Sequence, residues 1–204
     1  MKTQLTYTAL MEMEQRKRAH LINSVGGFKS VCLIGTIDNA GQTNLAIFSS
    51  IVHIGANPPL ISFIMRPDSV ERHTLSNILE SGCYTINHIN ENIYKQAHQT
   101  SARYPKDSSE FDATGLTCEY LNGFKAPFVQ QSNIQLAIEF RERINLTINN
   151  TIMVIGEIRD IHFPTDCLQE DGYLDIEKAG TVSCTGLDSY HTTSRLQRLA
   201  YAKP

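Results

Sequence analysis

Two neighbouring stretches, residues 133–144 and 152–163, constrain the fold more than any other part of the chain. In the first, Ile134, Leu136, Ile138 and Phe140 alternate with polar positions, the pattern of a strand with one face in a core and one in water. The second, IMVIGEIRDIHF, is equally rich in β-branched residues, and only residues 145–151 separate the two. So short a link suits an antiparallel pair, because a parallel pair needs a crossover of roughly a dozen residues or more.

The remaining elements extend the same theme. Residues 31–37 are β-rich, Asp38-Asn39-Ala40-Gly41 is turn chemistry, and 43–54 reads as the returning strand of a hairpin. After Asn57-Pro58-Pro59, residues 60–65 read as a short, fully buried strand, and 84–89 as another. A helix is expected over 9–23, with Leu10, Met13, Lys17 and Leu21 on one stripe. Asp68, with Glu71 three residues on, reads as a helix cap, opening a helix that buries Val70, Leu75, Ile78 and Leu79 and stops near Gly82. A further helix is expected over 91–100 and a polar loop over 101–115. Strands outnumber helices, and hairpin links outnumber strand–helix–strand units. The expected fold is therefore mainly β, an antiparallel barrel with peripheral helices, in a single domain over 1–204.

Composition narrows the function. At 204 residues, 41% hydrophobic and 19% charged, the chain can bury a sizeable core. A net charge of -3 and scattered cations argue against nucleic acid or an anionic membrane as partner, and Arg16-Lys17-Arg18 reads as a solvated helix face. No run approaches the roughly 20 apolar residues of a membrane span, and the first residues lack a signal-peptide core. The five cysteines are widely spaced without a CxxC pair, so neither a zinc site nor a disulfide framework is indicated. The expected location is the cytoplasm. GxGxxG, P-loop, HExxH and GxSxG patterns are missing, as is any histidine pair at metal spacing, and Gly26-Gly27 reads as a plain turn. His53, His73, His88 and His98 each suit a surface or structural role, and no catalytic side chain is nominated.

The chemistry concentrates in NLAIFSSIVHIGANPPLISFIMRPDSVERHTLSNI, residues 44–78. Asn44, Ala46, Phe48 and Ser50 share one strand face, and Leu45, Ile47, Ser49 and Ile51 the other. A small Ala46 lets a planar ring approach the backbone, and the Ser49 and Ser50 hydroxyls can donate to oxygen acceptors. Arg66 and Arg72 can neutralise a phosphate, with Thr74 and helix-start amides as neutral donors. Taken alone, the same residues fit strand capping by the serines and surface ion pairs by the arginines.

The segment nevertheless resembles the flavin reductase-like family with the FMN-binding split barrel. Its motifs follow in order: NLAIFSS, NPPLISFIMRP and RHTLSNI, then SGCYTINHI, TSARYPKDSSEFDATGLT, TIMVIGEI and GLDSYHTTSRLQRLAYAKP. The match covers nearly the whole chain beyond the N-terminal helix region, residues 1–28. The resemblance implies a Greek-key split barrel holding FMN, in preference to FAD, non-covalently at a homodimer interface. It implies contacts to the ring and ribityl chain from Asn44, Leu45, Ala46, Phe48, Ser49 and Ser50, and to the phosphate from Arg66, Arg72, His73 and Thr74. Ser189, Tyr190 and His191, in a tail (186–204) at the dimer interface, would approach the flavin from the other subunit. The implied activity is an oxidoreductase passing electrons from NAD(P)H through FMN to an acceptor. Two positions depart from the family pattern: Arg72-His73-Thr74 replaces a basic–Asp–Thr helix start, and Asn149-Asn150-Thr151 stands where short reductases carry a histidine near the nicotinamide. The alternatives are an electron carrier reduced by a partner protein and a barrel that serves as a binding module without flavin.

Overall fold

The structure is a computed structural model that describes residues 1–67, 72–105 and 107–203. In chain order the helices are α1 (Tyr7–Glu12), α2 (Gln15–Val25), α3 (His73–Ser81), α4 (Tyr94–Gln99) and α5 (Glu110–Thr114). The strands are β1 (Lys29–Ser30), β2 (Cys32–Ile37), β3 (Thr43–Phe48), β4 (Val52–Ala56), β5 (Pro59–Met65) and β6 (Cys83–His88). They continue as β7 (Cys118–Glu119), β8 (Phe128–Val129), β9 (Gln135–Leu146), β10 (Thr151–His162), β11 (Ser183–Thr185) and β12 (Ser189–His191).

Seven strands form one antiparallel sheet in the order β3-β2-β6-β9-β10-β5-β4, built around the long β9–β10 hairpin. Flat, such a sheet would hold its edge strands β3 and β4 about 29 Å apart, at six spacings of about 4.8 Å. Yet only Ser49–Ile51 link them, and the four Cα steps from Phe48 to Val52 reach at most about 14 Å. The sheet must therefore curl until its edges meet. They meet at Ser50, whose hydroxyl donates to the Ile64 carbonyl at 3.0 Å and accepts the Ile64 N–H at 3.1 Å. One serine side chain thus continues the β4–β5 ladder across the seam.

Two cores lie on opposite sides of this wall. Inside the barrel, Ile34, Phe63, Ile78, Tyr84, Ile86 and Ile138 are buried, and Phe63 packs edge-on between Phe48 (4.8 Å) and Tyr84 (5.6 Å). Outside it, Leu33, Leu45 and Val129 pack with Ile93, Ala97 and Phe111 of the α4–α5 region and with Val182 and Cys184. β2 serves both, which is why VCLIGTI reads as a continuous apolar run. A Cβ on Gly156 would overlap Ile138 and the Tyr84 hydroxyl, so this position of β10, beside a β9–β10 bulge, admits only glycine.

Several expectations need correction. The single helix over 9–23 is two short helices broken at Met13–Glu14, and neither buries a residue. Arg18 is more than a solvated cation: its guanidinium donates to the carbonyls of Met11 (3.0 Å) and Met13 (3.2 Å) at the end of α1. The strand expected over 43–54 is divided, because Ser49–Ile51 carries the chain from one sheet edge to the other. Leu60 and Ile61 are half-buried in a strand read as fully buried, since β5 faces solvent through its outer end. Leu79 is 45% exposed instead of facing inward. The helix over 91–100 begins only at Tyr94, and the loop over 101–115 contains α5. The cap assigned to Asp68 and Glu71, and the inward Val70, lie outside the described residues. Among the described residues, no helix is long and apolar enough to cross a membrane.

Candidate functional site

The site begins where α3 starts. Arg72 occupies the cap position with extended backbone and makes no side-chain cap, and the first turn carries no acidic residue. The first amide bonded within the helix is that of Ser76, to the Arg72 carbonyl at 3.1 Å. The N–H groups of His73, Thr74 and Leu75 are left at the positive end of the helix, whose first turn carries no acidic residue. The Arg72 guanidinium is steadied by the Pro67 carbonyl, which accepts from Nε and Nη2 at 3.4 Å. Arg66, exposed at the end of β5, has no ion-pair partner among the described residues.

β3 is locked to this helix end by a buried amide network. The Asn44 side-chain amide donates to Thr74 (3.1 Å) and Thr36 (3.3 Å), and Asn77 donates to the same Thr36 hydroxyl at 3.2 Å. The outer edge of β3 is the second component. The Leu45 N–H points away from β2 and donates to Glu110 Oε2 at 2.9 Å. In a regular antiparallel ladder residues alternate, so Ile47 also turns its N–H and C=O away from β2, toward the cleft that its side chain lines. These groups have no protein partner among the described residues. They form a donor–acceptor edge suited to a flat heterocycle.

The helix end and the strand edge open into one cleft of about 880 Å³. It gathers Asn44, Ala46, Phe48, Ser49, Ser50, Arg66, Arg72, His73, Thr74 and Tyr190 of the expected set. Ser50 reaches it with its hydroxyl already held by Ile64. Three expected residues, Leu45, Ser189 and His191, are not among those lining the cleft. Leu45 is fully buried in the outer core, where its side chain can serve only as packing. His191 faces away from Tyr190 by strand alternation, its Nε2 lying 3.0 Å from the Thr185 hydroxyl and its ring edge-on to Phe28 at 5.0 Å. Tyr190 lines the cleft of its own chain.

Thr100–Tyr104, Glu110 and Cys184 line the cleft without having been expected there, and Thr151, from the Asn149-Asn150-Thr151 departure, lines it as well. Only the TSARYPKDSSEF motif hinted at the first two, because a polar loop carries no periodicity that reports which side it presents. Burial raises the Glu110 carboxyl, opposed by the Leu45 N–H, its own backbone and nearby His73. Burial also raises the Cys184 thiol against the pull of Lys29 and Ser49. Tyr190 is pushed up to about 12 by burial, with Cys184 and Asp188 adding to it. Among the described residues, no group of three or more His, Cys, Asp or Glu could hold a metal ion.

A family model described as the flavin reductase like domain matches residues 28–179. The chain belongs to that family. Among solved structures it is 51% identical to a candidate flavin reductase with split barrel domain from Shewanella frigidimarina, covering 98% of this chain and 100% of that one with a TM-score of 0.95. Nitrilotriacetate monooxygenase component B from Bacillus cereus is 21% identical over 98% of this chain and 99% of its own, with a TM-score of 0.84. The flavoredoxin of Desulfovibrio vulgaris is 22% identical over 86% and 92%, with a TM-score of 0.74. The last two likenesses are of fold. Family membership makes this a flavin-related, split-barrel oxidoreductase type of protein.

Proposed function

We propose that this flavin reductase-like protein binds FMN in the cleft and works as an oxidoreductase, moving electrons from NAD(P)H through the flavin to an acceptor. The observation that carries this reading is the convergence, in one cleft, of a helix start with no acidic residue in its first turn and of the Ile47 peptide groups on the β3 edge, which have no protein partner among the described residues. The residues present suit the cofactor. A phosphate would take the amides at the start of α3, with Arg72, Arg66 and Thr74 balancing its charge. The ring would lie over Ala46 with its polar edge against the Ile47 backbone. Bound FMN would supply the electron chemistry, and the chain supplies orientation and shelter from water. Phe48 and Tyr190 exclude solvent along the ring, and Asn44 holds the strand to the helix so that both ends of the ligand are met at once.

An electron-carrier reading has one observation in its favour. Thr151 lines the cleft, and Asn149 Oδ1 accepts from its N–H (3.1 Å) and hydroxyl (2.8 Å), so this wall offers an amide turn where an imidazole was expected to meet nicotinamide. We read the protein as a homodimer. The edge strand β4 exposes Val52 (50%) and Ile54 (43%), and the tail exposes Leu196, Leu199 and Tyr201, surface that a second copy would cover. The five cysteines are unpaired, in keeping with a reducing cytoplasm.

The test is an absorbance spectrum of the purified protein, identification of the released flavin, and anaerobic mixing with NADH or NADPH. Bleaching of the flavin within seconds supports the reductase. A flavin that stays oxidised with both nucleotides yet bleaches with a protein reductase selects the carrier. A colourless protein that takes up no FMN refutes both.

A further inference from the structure

We propose that Arg103 is the docking point for an anionic oxygen group, a carboxylate or phosphate, on a flat molecule that shares the cleft with the flavin. This assignment rests on the flavin reading and names the chemistry of the flavin's reaction partner.

The chain carries a net -3, yet its cleft is lined by Arg66, Arg72 and Arg103 with His73 and His98, against only Glu110 and Asp188. Glu110 is already engaged by the Leu45 N–H. Arginines on the outer strands and tail are neutralised: Arg141 and Arg159 by Glu139 and Glu157, Arg195 by Asp175, Arg198 by Asp171. Arg103 has no ion-pair partner or hydrogen bond among the described residues. A cation left unpaired inside a ligand cleft is available to a ligand.

The Ser101 N–H bonds the His98 carbonyl at 3.0 Å, the Ala102 N–H bonds that of Gln99 at 3.1 Å, and Gln99 Nε2 donates to the Tyr104 hydroxyl at 3.0 Å. The chain therefore does not leave the end of α4 until past Tyr104, and Arg103 stands on that fixed post. His98 Nδ1, 3.0 Å from the Tyr190 hydroxyl, ties the post to β12. Tyr190 pairs with Cys184, which neighbours Ser49, whereas the phosphate end meets Asn44 through Thr74. Asn44 and Ser49 are separated by about 17 Å of extended strand, room for a second anion besides the flavin phosphate.

Beside Arg103 the wall is aromatic: Tyr104, and Tyr190 braced by Tyr94 with ring centres 5.6 Å apart. A guanidinium next to tyrosine faces favours a planar body bearing a negatively charged oxygen group.

The experiment titrates the FMN-loaded protein with benzoate, phenyl phosphate and neutral benzamide, read by the flavin's visible absorption, in the parent, Arg103→Gln and Arg103→Lys. The expected result is that at least one anion outbinds benzamide by about five-fold, as one partly exposed ion pair allows. Arg103→Gln should erase that preference and Arg103→Lys keep part of it, with the FMN dissociation constant unchanged in both. Arg72→Ala should do the reverse, moving FMN affinity and leaving the anion preference. Whichever anion binds tighter identifies the source as carboxylate or phosphate. Equal binding of all three probes in the parent, or a preference that survives Arg103→Gln, overturns the assignment and leaves the flavin reading standing. Failure to take up FMN overturns both.

Discussion

The Glu110 carboxylate accepts the backbone N–H of Leu45 at 2.9 Å, joining the first residue of α5 to the exposed edge of β3. Leu45 is fully buried and Glu110 is 8% exposed, so neither group can turn to water instead. Glu110→Ala leaves a buried amide unsatisfied and should lower unfolding stability by about 1–3 kcal/mol. Glu110→Gln keeps an acceptor oxygen in place and should stay within about 0.5 kcal/mol of the parent. Urea unfolding separates the two; equal losses in both variants would show that charge, and not the hydrogen bond, is what this position supplies.

At the phosphate end, Arg72 is the cation closest in sequence to the free amides of α3 and is held by Pro67. Arg72→Ala should weaken FMN binding by about 1–3 kcal/mol, because a charged partner of a partly desolvated anion is lost. Fluorescence titration of the apoprotein with FMN reads this directly. An unchanged dissociation constant would mean that the phosphate sits elsewhere.

What the sequence disclosed, and what it withheld, follows from periodicity. The β9–β10 hairpin was legible from the period-two pattern around Ile134, Leu136 and Ile138, but the expected water-facing side is missing there: Gln135 and Ala137 are buried too, because the outer face of this half of β9 is also covered. β3 and β4 were read as one strand because Ser49–Ile51 is itself β-compatible. The crossing there is imposed by barrel closure, which no local signal reports. The cleft residues from 44 to 50 and 66 to 74 stood in one segment and could be found by residue type. Their limits were set by backbone: Ile47 contributes its peptide groups, and a peptide group has no letter of its own. His191 lies outside its own chain's cleft because its neighbour Tyr190 takes that face of β12.

Ser50 looked like a ligand donor by residue type, but its geometry predicts a larger structural effect. Its hydroxyl both donates to and accepts from Ile64 across the barrel seam. Ser50→Ala removes both bonds and leaves a partly buried N–H without a partner, which should cost about 1–3 kcal/mol of stability. Any loss of FMN affinity should be smaller, within about 0.5–1.5 kcal/mol, the worth of a single neutral hydrogen bond. Parallel thermal melts and FMN titrations decide between the roles; a variant as stable as the parent but unable to hold FMN would make Ser50 a ligand donor first.

His88 sets a pH limit on the fold. It closes β6 opposite Cys32, with Nδ1 3.1 Å from the Thr181 hydroxyl, and burial lowers its pKa from 6.5 to about 4. The unfolded chain therefore binds a proton near pH 6.5 that the folded chain refuses until near pH 4. Stability tied to His88 is present in full above pH 6.5 and is lost as the pH falls toward 4. With each unit worth about 1.4 kcal/mol, acidifying from pH 7 to 5 should cost the parent about 2 kcal/mol through this residue. His88→Gln, which can still bond Thr181, should be less stable than the parent at pH 7 and lose correspondingly less between pH 7 and 5. Urea midpoints at both pH values measure it, and identical pH slopes in parent and variant would place the acid sensitivity in other groups.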